Sequence, residues 1–128
     1  MSKILIVEDE FMNRDMIMRR LTWEGYEVAV AANGEEALRV VIAEKPELIL
    51  MDLGLPRMNG WEVTRRLRTD TQTADIPIIA LSAYALMEDR ARAFDVGCDD
   101  FETKPIEFPR LLSKIEQLLV TRVPQIAS

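Results

Sequence analysis

Acidic side chains follow two apolar runs of the sequence. Residues 4–7 lead into Glu8 and Asp9. Residues 48–51 lead into Asp52. Carboxyl groups normally have pKa values of about 3.9 to 4.3, so three converging acids would all be charged at pH 7 and would repel one another. If they converge, the sequence predicts either that one of them retains a proton or that a divalent cation lies between them.

A hydroxyl and an ammonium group follow two further apolar runs. Ser82 ends the run before it, and Lys104 follows a shorter one. A phosphate needs cationic and hydrogen-bond-donating neighbours, whereas Mg²⁺ takes oxygen ligands from carboxylates and phosphate. Each residue alone has a commoner role, because acids and serine often cap helices and lysine is usually a surface cation. Together they predict a site for both a phosphate and Mg²⁺.

The elements that would position these residues are five short apolar runs that alternate with five amphipathic segments. Short connections and strands buried on both faces predict an α/β fold, a doubly wound five-stranded parallel sheet with helices on both sides. In such a sheet, ligands collect at the carboxyl ends of the strands. The predicted strands are residues 3–7, 26–32, 48–51, 76–81 and 100–103, and the predicted helices are residues 11–23, 35–44, 61–68, 86–96 and 108–120.

Large apolar side chains in the helices predict how the layers pack. We expect Trp23 and Trp61 to lie between helix and sheet, and Met12, Met16 and Met18 to fill gaps in the core, since methionine adapts to irregular spaces.

Composition limits the classes of function. The chain has 128 residues and 48% hydrophobic residues, which suits one domain; we expect residues 1–121 to form it and residues 122–128 to be a tail. The net charge of −6 argues against direct nucleic-acid binding and against binding to anionic membranes. No charged-then-apolar leader and no apolar stretch of about 20 residues is present, which predicts a cytoplasmic protein.

Cysteine and histidine usage narrows the chemistry. The single Cys98 excludes an internal disulfide, and we expect it to be a small buried residue without a redox role. The chain contains no histidine, so it cannot form a histidine-based catalytic triad or a phosphohistidine. Any histidine chemistry must come from a partner.

Several short motifs occur in one order along the chain. Each is weak alone, but the set is similar to the receiver domain of two-component response regulators, the CheY-like family, over roughly residues 3 to 120. The chain resembles receivers associated with hybrid kinases and DivK-like single-domain members more than the chemotaxis protein. It implies the strand order 2-1-3-4-5 and a cis Lys104-Pro105 bond. The motifs are Glu8-Asp9, Met51-Asp52, Leu55-Pro56-x-x-Asn59-Gly60, Leu81-Ser82-Ala83 and Lys104-Pro105.

The resemblance implies a role for each acid. Asp52 would be the phosphoryl acceptor, a carboxylate nucleophile that attacks a phosphohistidine of a partner. Mg²⁺ would be held by Asp9, by Asp52, by Glu8 through water and by the backbone carbonyl of Gly54.

It also implies how phosphorylation is communicated. Ser82 would donate a hydrogen bond to the phosphoryl group, and Lys104 would pair with Asp52 before phosphorylation and with the phosphate afterwards. Phe101 would be the switch aromatic that moves inward behind Ser82. Gly54 and Tyr84 occupy the two positions that tune the lifetime of the phosphorylated state, and here they predict slow self-dephosphorylation.

The predicted function is that of a stand-alone regulator. The chain ends at residue 128, which we expect to leave no output domain, so a downstream protein would be its target. Its phosphoryl donor would be a histidine kinase or a histidine phosphotransfer protein, docked near Arg14 and Met18. The protein would not be an enzyme in the usual sense, although it assists its own phosphorylation and slow dephosphorylation. Met87, Arg90 and Phe94 leave open a monomer or a phosphorylation-dependent homodimer.

Three other functions deserve comparison. A phosphate-shuttling intermediate of a multistep phosphorelay has the same sequence requirements. An Asp-nucleophile phosphohydrolase of the haloacid-dehalogenase type needs a second Asp two residues after the first, where this chain has Gly54. A flavodoxin-like electron carrier needs a hydroxyl- and glycine-rich phosphate loop after the first strand, where this chain has Glu8-Asp9-Glu10.

Overall fold

Strands and helices alternate along the whole described chain. The structure is a computed structural model that describes residues 2–56, 58–83 and 87–122. The five strands and five helices found there confirm the predicted α/β alternation. In chain order they are β1 (Lys3–Val7), α1 (Phe11–Trp23), β2 (Glu27–Ala31), α2 (Gly34–Glu44), β3 (Leu48–Asp52), α3 (Gly60–Thr69), β4 (Ile78–Ser82), α4 (Met87–Val96), β5 (Asp100–Thr103) and α5 (Phe108–Arg122).

The sheet is entirely parallel and has the strand order β2-β1-β3-β4-β5. This confirms the expected fold. Val7 of β1 lies beside Met51 of β3, and Asp52 lies beside Leu81 of β4. Because neighbouring strands end at nearly the same level, the residues that follow them are brought to one edge of the sheet.

Each face of the sheet buries its own apolar cluster. The residues of β3 and β4 are all buried, as a parallel sheet covered on both faces requires. One cluster packs α1 and α5 against the sheet, and the other packs α2, α3 and α4. Burying each large aliphatic side chain contributes about 1.5 to 3 kcal/mol, so the two clusters dominate stability. The helical members are Ile17, Leu21, Leu111 and Ile115 on one face and Ala37, Val41, Val63, Leu67 and Ala93 on the other.

Local sequence signals set the helix ends. The Asn33 side chain accepts a hydrogen bond from the Glu36 N–H at 2.8 Å, which confirms the predicted N-cap of α2. Gly25 follows the C-cap of α1 and has a φ of +98°, a left-handed conformation that favours glycine.

Several boundaries differ from the prediction by a residue or two. β4 begins at Ile78 instead of residue 76, because Pro77 has no N–H for the sheet. α5 continues to Arg122, so the predicted tail begins one residue later, and residues 123–128 lie outside the described chain. None of the helices in the described ranges combines the length and the apolar character that crossing a membrane demands.

The packing predicted for three side chains of α1 is wrong. Trp23 is 85% exposed, and Met12 and Met16 are 71% and 47% exposed. α1 presents Ile17 and Leu21 to the sheet. At 100° per residue, Trp23 lies about 200° from Leu21 and therefore faces solvent.

Other packing predictions are confirmed. Trp61 and Met18 are half-buried and pack against the two apolar clusters. Cys98 is buried, and its Sγ lies 3.9 Å from Thr64 Oγ1. Burial raises the pKa of the Cys98 thiol to about 11, so the thiol stays protonated at neutral pH.

Arg68 at the end of α3 connects two loops. Its Nε donates to the carbonyl of Gly97 at 2.8 Å, and its Nη1 donates to the carbonyls of Ala74 and Ile76 at 2.9 and 2.7 Å. Its Nη2 lies 2.8 Å from Asp99 Oδ2. The planar guanidinium therefore holds together the segments that lead into β4 and β5.

Candidate functional site

The predicted reactive residues meet at the carboxyl edge of the sheet. Glu8 follows β1, Asp52 ends β3, Ser82 ends β4 and Lys104 follows β5. Lys104 N–H donates to the carbonyl of Ser82 at 2.8 Å, which continues the β4–β5 pairing beyond the strands. The peptide bond between Lys104 and Pro105 is cis, as the resemblance implied.

Three carboxylates share a small volume. Glu8, Asp9 and Asp52 each offer one oxygen, and these oxygens all lie within 4.8 Å of one another. Glu8 and Asp52 are 1% and 5% exposed, whereas Asp9 is exposed. Oxygen donors carrying negative charge are the ligand set that Mg²⁺ prefers, so the residues present fit this ion.

A lysine ammonium lies between two of the acids. Lys104 Nζ is 2.7 Å from Glu8 Oε1 and 3.2 Å from Asp52 Oδ2. The second contact is the pairing expected of an unphosphorylated site. The contact with Glu8 is shorter and was not predicted. Although burial lowers the pKa of Lys104, the hydrogen bond to Glu8 and the charges of Asp52 and Glu8 raise it above its ordinary value.

Glu8 carries the strongest electrostatic perturbation at this edge. Burial and hydrogen bonding to Asp52 raise its pKa, the Lys104 ammonium opposes both effects, and the net pKa is about 7. Near neutral pH the Glu8 carboxyl is therefore populated in both its protonated and its ionised form. The sequence predicted either a retained proton or a bound divalent cation among the three acids. The raised pKa of Glu8 is compatible with a retained proton, and the three carboxylates also fit Mg²⁺.

Asp52 is held on both of its oxygens. The N–H of Gly54 donates to Asp52 Oδ1 at 2.9 Å, while Lys104 contacts Oδ2. A methyl group added at Gly54 would touch only Asp52 Oδ1, at 3.6 Å, so the space above this glycine is open. The role assigned to the Gly54 carbonyl stays a prediction.

A cavity of about 350 Å³ opens beside Asp52. Ser82, which is 5% exposed, and Lys104 line it together with the loop after β3. Two other residues, Trp61 of α3 and Asp89 of α4, line the cavity and were not predicted to do so. No sequence signal marks them, because their position depends on how both helices pack above the end of β3.

Gly60, the first residue of α3, permits the start of this helix to approach the backbone at the end of β3. A Cβ at this position would lie 2.4 Å from the carbonyl oxygen of Asp52 and 2.8 Å from the Cα of Leu53. These are backbone atoms that cannot move aside cheaply. Only glycine lets α3 begin this close to the acceptor strand.

The remaining predicted residues have different placements. Phe101 lies beside Ala80 in the sheet and is 3% exposed, so its side chain is buried. Tyr84 lies outside the described residues. Arg14, predicted for docking a partner, donates from Nη1 to the Glu8 carbonyl at 2.8 Å and thereby fixes the loop between β1 and α1.

The chain is similar to known proteins over nearly its whole length. Residues 4–116 match the family described as the response regulator receiver domain. The polar-differentiation response regulator DivK of Brucella anthropi is 38% identical, over 91% of this chain and 94% of DivK. The DNA-binding dual master transcriptional regulator RpaA of Synechocystis is 37% identical, over 99% of this chain and 54% of RpaA. The chain thus spans about half the length of several curated relatives that it matches.

Solved structures of receiver domains are also similar to this chain. The receiver domain of the sensor histidine kinase PA1611 from Pseudomonas aeruginosa is 34% identical, with a TM-score of 0.86, over 93% of this chain and 98% of that domain. That structure has a magnesium ion coordinated in the active site cleft.

Proposed function

Since the chain belongs to the family of response regulator receiver domains, we propose that Asp52 accepts a phosphoryl group from a phosphohistidine on a partner kinase or phosphotransfer protein. The observation that carries the proposal is the setting of Asp52. Its carboxylate is buried at the floor of a cavity, with the Gly54 N–H on one oxygen and Lys104 Nζ on the other. Both contacts orient the nucleophile.

The transfer needs no proton from this chain. An oxygen of Asp52 forms a bond to phosphorus as the bond between phosphorus and the partner's imidazole nitrogen breaks, and the imidazole leaves with the electron pair. Lys104 then pairs with the transferred phosphate, and the Ser82 hydroxyl donates to a phosphoryl oxygen. Because residues 1–128 contain no histidine, a phosphohistidine donor must lie outside these residues.

Glu8, Asp9, Asp52 and the carbonyl of Gly54 would hold Mg²⁺. The ion, when bound, neutralises negative charge on the carboxylates and on the phosphoryl oxygens. Glu8 would hold the ion through water, and its contact with Lys104 Nζ at 2.7 Å supports a competition between the ammonium and the hydrated ion for this carboxylate.

The output would be a change in a protein-binding surface. Ser82 ends β4 and pairs with Thr103 at the end of β5, so a change at Ser82 is transmitted toward Phe101 and α4. Phe101, which is 3% exposed, would be the switch aromatic that fills the space behind Ser82. Met87 and Phe94 are 86% and 41% exposed on α4, and they offer a surface for a downstream protein or for a phosphorylation-dependent homodimer as an alternative to the monomer.

Other attributes follow from the same proposal. We further propose that residues 1–121 form a cytoplasmic receiver, and similarity to DivK over 94% of its length supports a stand-alone regulator. The open space at Gly54 provides no side chain to position a hydrolytic water, which supports slow self-dephosphorylation. Similarity to receiver domains of histidine kinases supports the second candidate, a phosphate-shuttling intermediate. A phosphohydrolase is disfavoured because Gly54 stands where its second acid is needed.

Intact mass after treatment with acetyl phosphate and Mg²⁺ tests the proposal. We expect an adduct of about 80 Da on the wild-type chain and none on Asp52→Asn. Asp95→Asn, the same substitution on an exposed acid of α4, is the matched control and should still be modified. An adduct that persists in Asp52→Asn, or its absence from the wild type, would refute the proposal.

A further inference from the structure

An acid of α4 lines the phosphoacceptor cavity and takes no part in the mechanism above. Asp89 lies in the first turn of α4, is half-buried and borders the cavity beside Asp52. Within the described ranges, its carboxylate forms no hydrogen bond and no ion pair. No cationic side chain of that part of the chain therefore lies within ion-pairing distance of it.

Glu88, the residue before Asp89, shows which part of the effect of Asp89 is due to its position at a helix N-terminus. Glu88 is also an acid of the first turn of α4, but it is exposed and does not line the cavity. Both carboxylates interact favourably with the positive end of the helix dipole. Only Asp89 adds negative charge to the space that the phosphoryl group would occupy.

Helix α4 contacts another residue that lines the cavity. The guanidinium of Arg92 lies 4.5 Å from the ring centroid of Trp61, which also lines the cavity. Arg92 is one turn after Asp89 and therefore helps to hold that turn in place. The cation on the cavity wall, Lys104, already contacts two acids.

Resting on the proposed function, we propose that Asp89 is a specificity-determining residue that opposes phosphoryl anions in the cavity beside Asp52. A volume of about 350 Å³ corresponds to a width of about 9 Å, which is comparable to the screening length at physiological salt. Screening over this distance weakens the repulsion between a carboxylate and an arriving phosphoryl dianion without abolishing it, because both groups border one cavity. It would lower the occupancy of the phosphorylated state and make phosphorylation depend on a tightly docked donor.

Beryllofluoride binding in the presence of Mg²⁺ tests the proposal on the full chain. Trp61 lines the cavity and reports binding by fluorescence, and Trp23→Phe removes the exposed second tryptophan. In this background we expect Asp89→Asn to bind beryllofluoride about threefold to tenfold more tightly, and Glu88→Gln to bind like its parent. Asp89→Ser is a second variant whose short side chain suits a helix N-terminus if the first folds poorly.

The outcomes separate the two proposals. Binding that tightens only when Asp89 is neutralised supports the inference. Equal affinities in all variants, or equal tightening in Glu88→Gln, overturn it while the receiver function stands. No response of the parent, with Asp52→Asn also silent, overturns the proposed function and this inference with it.

Discussion

Replacing Glu8 with glutamine should stabilise the protein, although it removes half of the closest ion pair at the site. The pKa of Glu8 is about 7 in the folded chain and 4.5 in its ordinary state. The folded state therefore favours the neutral carboxyl, and stability is lost as pH rises from about 4.5 to about 7. A shift of this size corresponds to about 3 kcal/mol at pH 8. Glutamine has the same shape without the charge, so it should recover about this amount.

The pH dependence distinguishes this cause from a general change in packing. At about pH 4 the carboxyl of Glu8 is already neutral in both states, so the variant and the wild type should differ by only a few tenths of a kcal/mol. The assay is urea unfolding followed by circular dichroism at about pH 4 and pH 8, with EDTA present to remove divalent cations. Asp95→Asn removes one charge from an exposed acid and controls for the net charge of −6.

One result would refute the reasoning. If Glu8→Gln were less stable than the wild type at pH 8, the contact between Glu8 and Lys104 at 2.7 Å would contribute more than the burial of the carboxylate costs. A gain of the same size at both pH values would show that the effect does not arise from ionisation.

Three further predictions concern stability. Gly60→Ala should lower the free energy of unfolding in urea by about 3 kcal/mol, because its Cβ would meet the backbone of Asp52. Gly25→Ala, which has open space but a positive φ, should lower it by about 1 to 2 kcal/mol. Equal losses would contradict the close approach at Gly60. Arg68→Lys keeps the charge but cannot span four acceptors and should cost about 2 kcal/mol or more; a melting temperature unchanged from wild type would contradict this. The folded pKa of Cys98 is raised from 9.0 to about 11, so stability is lost as pH rises through this interval. The advantage of wild type over Cys98→Ala should therefore fall by about 2 kcal/mol between about pH 8 and pH 10.5, and a constant difference would contradict a buried thiol.

The sequence predicted the fold because each strand is a continuous apolar run and each run ends at a polar residue. That pattern is visible in neighbouring residues of the sequence. It predicted that Glu8, Asp52, Ser82 and Lys104 lie at the carboxyl edge of the sheet. The contact between Glu8 and Lys104 was not predictable, because two acids compete for one ammonium and only the side-chain geometry decides between them.

Helix α1 shows a second limit of sequence reasoning. Its apolar residues outnumber the positions that can face the sheet, so composition alone could not tell that Trp23 and Met12 face solvent while Ile17 and Leu21 are buried. Asp89 and Trp61 border the cavity for a related reason. Their contribution depends on the packing of two helices that are far apart in sequence.

The four contacts of Arg68 give the sheet one anchored end and one adjustable end. They join the segments that enter β4 and β5, whereas Ser82 and Lys104 stand where these strands leave the sheet. Because Arg68 holds the starts of β4 and β5, these strands can shift more easily where they end. We therefore expect a small displacement at the phosphoacceptor to be accommodated at the ends of β4 and β5 beside Ser82 and Lys104, while the ends held by Arg68 stay in place.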